Sequence, residues 1–159
     1  AMRMMSTIVG DDSGSRIYWE LIETGLAEAA AIWPYDYQRV GLVMTYMACA
    51  PEQAAENLQR LTEIQKQVEA EGVTEEELQQ AKAKVCASIV LRAERPSSRM
   101  FSVGGGWIQR REYRTVKQAV ERYRSVTVDE VNEVLQKYPL SKNMTVAVGP
   151  LETLGMNGS

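Results

Sequence analysis

The residues able to do chemistry are best judged against one count: the chain contains no histidine. Gly10-Asp-Asp-Ser-Gly-Ser15 has the look of a nucleophile loop, yet Ser13 has no imidazole base to take its proton. An N-terminal helix cap explains its short polar residues without any chemistry. Val103-Gly-Gly-Gly-Trp107 has the glycine content of a phosphate cradle. It lacks the Gly-Lys-Ser/Thr that would reach phosphate and Mg²⁺, so a kink, a tight turn or close backbone packing is the plainer reading. Glu75, Glu76 and Glu77, with Glu69 and Glu71 nearby, could gather a metal. Carboxylates in a first helical turn also complement the helix dipole, and that accounts for them. Arg110-Arg111-Glu112-Tyr113-Arg114 is the most basic stretch. It could meet a substrate carboxylate or a partner domain, but such a cluster is ordinarily solvated surface. Cys49 and Cys86, the two cysteines, sit in apolar stretches and read as small buried hydrophobes rather than a disulfide framework. With no His there is also no His-bound zinc and no Cys-His pair.

The elements that must position these residues follow from composition and periodicity. The chain has 159 residues, 45% of them hydrophobic and 25% charged, with a formal net charge of -3. That fits one soluble domain, able to bury roughly 68–70% of its unfolded surface. No basic block could neutralise a run of phosphates, which argues against nucleic acid as partner. No stretch is apolar enough to span a membrane, and Ala1-Met2-Arg3-Met4-Met5 is too short for a signal peptide. The compartment is left open.

Met2 to Val9 is apolar and has no capping residue before it. It reads as the tail of a helix, ended by Gly10 in the left-handed conformation. Ser15 starts a helix with Ile17, Tyr18, Leu21 and Ile22 on one face, stopping at Gly25. Ala29–Tyr37 and Arg39–Ala50 read as two strands around a turn near Asp36–Gly41, and Pro34 places the first at an edge. Pro51 starts a long helix that ends at Gly72. Thr74-Glu-Glu-Glu77 is a capping box opening a helix to about Glu94. A third helix is capped by Ser97 or Ser98 and interrupted at Gly104-Gly105-Gly106. A shorter one spans about Thr115–Tyr123. Thr127-Val-Asp-Glu130, another capping box, opens the last helix, to Lys137. Met144–Val148 reads as a short strand. Residues 1–150 then form one domain, and 151–159 a tail expected to be disordered.

Strands grouped apart from a run of helices give an α+β class: two layers, with several helices covering a mostly antiparallel sheet. Three strands are a thin platform for so many helices. With the uncapped start, this predicts that a first strand and the opening of the first helix precede the chain.

Several segments together resemble one family. Ser15-Arg-Ile-Tyr-Trp-Glu-Leu-Ile-Glu-Thr-Gly-Leu-Ala27 is similar to the S-R-L-F-x-x-L-R-E-x-x-G-L-A segment of M16 zinc metallopeptidases, the insulinase, pitrilysin and mitochondrial processing peptidase type. Arg39–Tyr46 resembles the strand that follows. Gly72-Val-Thr-Glu-Glu-Glu-Leu-Gln-Gln-Ala-Lys82 resembles the family's G-V-T-E-E-E-L-x-x-A-K helix start. Val126–Val131 and Met144–Pro150 resemble its last helix and strand. The order and spacing of five segments, over about residues 8 to 151, carry the resemblance.

The resemblance implies the second, non-zinc-binding domain of such an enzyme. The family's H-x-x-E-H zinc motif lies on the first domain, so zinc is implied for the parent protein and no cofactor for this chain. The implied partners are that zinc-bearing N-terminal domain, the peptide substrate, and a homo- or heterodimer mate. An Arg and a Tyr that the family aims at the substrate carbonyl map here to Ile22 and near Glu28. Neither can donate to an oxyanion. No catalytic or metal residue is therefore assigned, and no substrate-binding residue is identified. Trp19, Trp33 and Trp107, with Tyr18, Tyr35, Tyr37, Tyr46 and Phe101, could line a peptide chamber, though core packing is the plainer expectation. The implied role is one wall of the chamber. The alternative is a domain of an inactive M16-like scaffold subunit. A third reading, an unrelated helical interaction module, would show no sheet.

Overall fold

The computed structural model describes residues 1–154. Six α-helices and one β-hairpin make up the described chain. They are α1 (Met2–Gly10), β1 (Ala29–Tyr37), β2 (Val40–Ala48), α2 (Ala54–Glu71), α3 (Glu75–Ala93), α4 (Pro96–Arg110), α5 (Val116–Arg124) and α6 (Val128–Lys137). A π-helical turn over Tyr18–Ile22 and a 3₁₀ turn over Pro51–Gln53 complete the regular structure. The sheet is antiparallel and, among the described residues, β1 pairs only with β2, which makes it an edge strand that tolerates Pro34. The α+β class expected from the sequence is the one observed.

α1 occupies the middle of the core. Met4 through Gly10 are buried without a break, which suits a helix apolar on nearly every side. Met4, Met5, Ile8 and Val9 meet Ile17 and Leu21 from the following turn, Val68 from α2, Leu78 from α3, and Val131 and Leu135 from α6. Each such side chain contributes about 1.5–3 kcal/mol by leaving water. Gly10 does not cap α1 in the left-handed conformation as expected. It is the last helical residue, and a Cβ there would lie 2.9 Å from the backbone nitrogen of Ile32. Its smallness lets α1 touch the β1 backbone. Gly25 and Gly72 do stop their helices with φ of 74° and 76°.

Three capping boxes start helices, at Thr74, Thr127 and Thr115. The Thr115 box, closed by Gln118, uses glutamine where the eye seeks glutamate, but its amide oxygen accepts the Thr115 N–H at 2.9 Å equally well.

Further expected features differ, and α4 starts at Pro96 after Arg95 rather than from a Ser97 or Ser98 cap. α4 runs unbroken through Gly104, Gly105 and Gly106. Glycine costs a helix about 1 kcal/mol per residue but does not forbid it, and nothing blocks the helical path here. Met144–Val148 forms no strand, because no neighbouring strand offers it a ladder. Of the expected tail, residues 151–154 carry no helix or strand, and 155–159 lie outside the described residues.

Candidate functional site

The residues singled out for chemistry are mostly explained by local structure. Ser13 is held, not activated: Lys84 Nζ donates to its Oγ at 2.8 Å and to its carbonyl at 2.9 Å, and also pairs with Asp11. Ser15 is the helix cap, its Oγ accepting the Tyr18 N–H at 3.1 Å and donating to the Asp11 carbonyl at 2.7 Å. The triple glycine lies inside a helix and so cannot form a loop around phosphate. Glu77 is committed to the Thr74 box and to Arg16. Among the described residues no three His, Cys, Asp or Glu side chains gather as a metal would require.

The basic stretch is neutralised where it stands. Arg110 pairs with Asp36 at the hairpin and Arg114 with Glu112. Arg111, the left-handed C-cap of α4, lies over the Trp107 ring, and Arg99 over Tyr113, each at 5.8 Å. Cys86 is buried, and Cys49, just past the end of β2, is half-buried against the core.

The two positions that the resemblance sets against the family's Arg and Tyr are Ile22 and Glu28. Ile22 ends the π-helical turn and packs against the core, and Glu28 is exposed just before β1, its N–H donated to the Ala48 carbonyl at 2.8 Å. The π turn itself, closed by Glu23 N–H to the Tyr18 carbonyl at 2.9 Å, was not foreseen from periodicity. One extra residue in a turn of helix leaves the apolar pattern nearly unchanged.

What the sequence places in the core, the structure puts outside. Residues opposite each other in an antiparallel pair share a face. Trp33, Tyr35 and Tyr37 therefore share one face with Met44, Leu42 and Val40, and Tyr46 joins them opposite Ala31. All seven are exposed, Trp33 by 39% and Tyr46 by 47%. The opposite face, with Ala30 and Ile32, is turned onto α1 and the helical layer. Trp33 stacks on Tyr46 at 6.1 Å and Tyr35 on Tyr37 at 6.4 Å, so the rings form ordered pairs rather than loose side chains. The spacing of Trp33, Tyr35 and Tyr37, two residues apart, was the available signal that these rings share one face of the hairpin. Phe101, Trp107 and Trp19 are exposed as well.

Residues 1–85 match the family described as the peptidase M16 inactive domain. Uncharacterized zinc proteases of Mycobacterium tuberculosis and Mycobacterium bovis are 31% identical over 160 residues, taking in 100% of this chain and 35% of their own length. One from Streptomyces coelicolor is 27% identical over 153 residues, 96% of this chain and 33% of that protein. The chain thus spans about a third of the length of the curated relatives it matches. The inactive peptidase domain of a presumed zinc protease from Bordetella parapertussis superposes with a TM-score of 0.72 at 21% identity, over 87% of this chain and 76% of that one. A protease from Helicobacter pylori gives 0.71 at 18% identity, over 85% and 33%. These structural likenesses speak to the fold.

Proposed function

This chain belongs to the M16 peptidase family as its inactive domain, and from that premise we propose that it forms one wall of the peptide chamber of a larger zinc protease. The observation that carries the reading is the exposed aromatic face of the hairpin. Isolated apolar side chains on a surface are commonplace, but seven contiguous ones on one sheet face mark a site of contact. Rigid rings and flat strands suit an extended, partly apolar peptide. Each ring offers large contact area at small entropic cost, and its π-face accepts varied side chains.

The chemistry belongs elsewhere in the parent. Zinc, held by an N-terminal domain of the same polypeptide, would supply the activated water. This chain's residues would bind and orient the peptide and exclude solvent. Ile22 and Glu28 offer no donor to a developing oxyanion, so this domain contributes contact and not transition-state charge.

The test is a variant of the full-length parent. Trp33→Ala removes a stacked ring from the wall without opening the core. Raised KM with unchanged kcat is expected for an extended apolar peptide, lowering kcat/KM by about tenfold, equal to ~1.4 kcal/mol. Unchanged KM for Trp33→Ala and for Tyr46→Ala would remove the hairpin from the peptide site. A parent that folds and binds zinc but cleaves nothing would point to the scaffold subunit instead.

A further inference from the structure

α4 is built inside out. It rests on α3, yet it contributes no buried residue. Residues three, four and seven apart share one side of a helix. Met100, Phe101, Gly104, Trp107, Ile108 and Arg111 fall on such a side, in a stripe about 120° wide. The four large apolar residues among them are 52–73% exposed. The half-buried side, turned to the protein, carries Arg99, Val103, Gly106 and Gln109. A surface helix ordinarily does the reverse, with its apolar stripe on the core. The middle of the outward face is bare. A Cβ on Gly104 or on the adjoining Gly105 would meet nothing within 4 Å. Met100 and Phe101 thus stand on one side of a notch in the backbone surface, and Trp107 and Ile108 on the other. Apolar side chains grouped in this way mark a contact surface, as scattered ones do not.

The charge around this face has one sign. Residues 91–124 hold nine of the chain's 18 Lys and Arg and only three of its 21 Asp and Glu, a net charge of +6 in a chain whose total is -3. From Arg95 to Arg111 there are four arginines and no acidic residue. Asp36 answers Arg110. Among the described residues Arg95, Arg99 and Arg111 meet no carboxylate within ion-pair reach. Arg99 and Arg111 lie instead over the rings of Tyr113 and Trp107. A ring holds a guanidinium in place without cancelling its charge. Trp107 thereby sets the Arg111 charge at the border of the apolar face.

We propose that the outward face of α4 docks an amphipathic helix of a partner protein, one whose apolar stripe is flanked by carboxylates. The glycines select a helix. With no side chain at the middle of the face, two helices approach nearer than the usual 8–10 Å or so, and Phe101 and Ile108 close on the partner from either side. A helix that lies on a bilayer presents an unbroken apolar stripe, and α4 interrupts its own. The charge selects the acid. A surface of net charge +6 draws an acidic partner and repels a basic one. Two copies of this chain meeting through α4 would set Arg111 against Arg111 and one positive surface against another, which disfavours a second copy. Docking here needs neither zinc nor cleavage, and so stands apart from the chamber role.

Fluorescence anisotropy on the full-length parent tests this. The probe is a synthetic helical peptide, about the length of α4, with leucine along one face and glutamate beside it. A twin carries lysine for each glutamate. The glutamate peptide should bind about tenfold or more tighter than its twin, and raising salt from roughly 50 to 200 mM should weaken it. Gly104→Leu fills the notch while favouring the helix, so it should lower affinity about tenfold with the thermal midpoint unchanged or raised. Phe101→Ala, at a side chain mostly in water, should lower affinity likewise with little effect on folding, and it decides alone if the leucine variant unfolds. No binding by a folded parent, equal binding of the two peptides, or binding that both variants leave intact would each overturn the proposal. Binding of phosphatidylglycerol vesicles without binding of the peptide would also overturn it, and would mean a membrane. So would self-association of the parent that Phe101→Ala abolishes, which means that a second copy covers the face.

Discussion

Arg16 grips Glu77 with two hydrogen bonds, Nε to Oε1 at 2.7 Å and Nη2 to Oε2 at 2.9 Å, while the same Nη2 reaches the Gly72 carbonyl at 2.9 Å. The pair joins two segments that carry the family resemblance, 61 residues apart in sequence. Glu77 also closes the capping box of α3 by accepting the Thr74 N–H at 2.8 Å. One carboxylate thereby fixes the start of a helix and its attachment to the Ser15 turn. Glu77→Ala should cost about 1–3 kcal/mol, because it removes a cap and strips a partly buried guanidinium of its partner. Chemical denaturation of wild type and variant measures it.

The same pair has a pH signature. Burial would raise the Glu77 carboxyl, but the hydrogen bonds from Arg16 and from the Thr74 backbone outweigh it and hold the group below its usual value of 4.5. A folded value below the unfolded one means stability that is complete above about pH 4.5 and is lost as pH falls through the folded value. The stability gap between wild type and Glu77→Gln should therefore be full at pH 6 and shrink in acid. Urea midpoints at pH 6 and pH 3.5 check this, and a gap that widens in acid would contradict it.

Gly10 tests the packing of α1 on the sheet. A methyl group there would meet the Ile32 backbone nitrogen at 2.9 Å, and backbone cannot step aside as a side chain can. Gly10→Ala should destabilise by about 1–3 kcal/mol as overpacking does. An unchanged thermal midpoint would show that helix and strand are less closely apposed.

Gly105 gives the opposite sign. It sits inside α4 with nothing within 4 Å of the position its Cβ would take. Gly105→Ala should stabilise residues 1–159 by about 0.5–1 kcal/mol through helix propensity alone. The thermal midpoint of the isolated chain reads it.

The contrast between these two glycines marks how far the sequence could be read. Thr74 and Thr127 announce their helices because a capping box is local chemistry, complete within four residues. Gly25 and Gly72 announce stops for the same reason, and the hairpin follows from its alternation and its turn. Gly10 looks like another stop, since its true role depends on Ile32, 22 positions away and brought near only by folding. The triple glycine looks like a break because propensity was weighed without knowing that α4 meets no obstacle. Met144–Val148 has the composition of a strand, but a strand exists only through its neighbour. The family was legible from the order and spacing of its segments. The aromatic face was not, because large rings usually signal a core and nothing local says which side of a two-stranded sheet the helices cover.

On the proposed division of labour, this domain supplies contact with the peptide and a zinc-bearing domain of the parent supplies the chemistry. Peptide cleavage by the full-length parent, with and without a zinc chelator and with residues 1–159 alone as control, tests it most directly. The expected result is cleavage by the parent that the chelator abolishes, and none by the isolated chain in either condition. Chelator-sensitive cleavage by residues 1–159 on their own would contradict it.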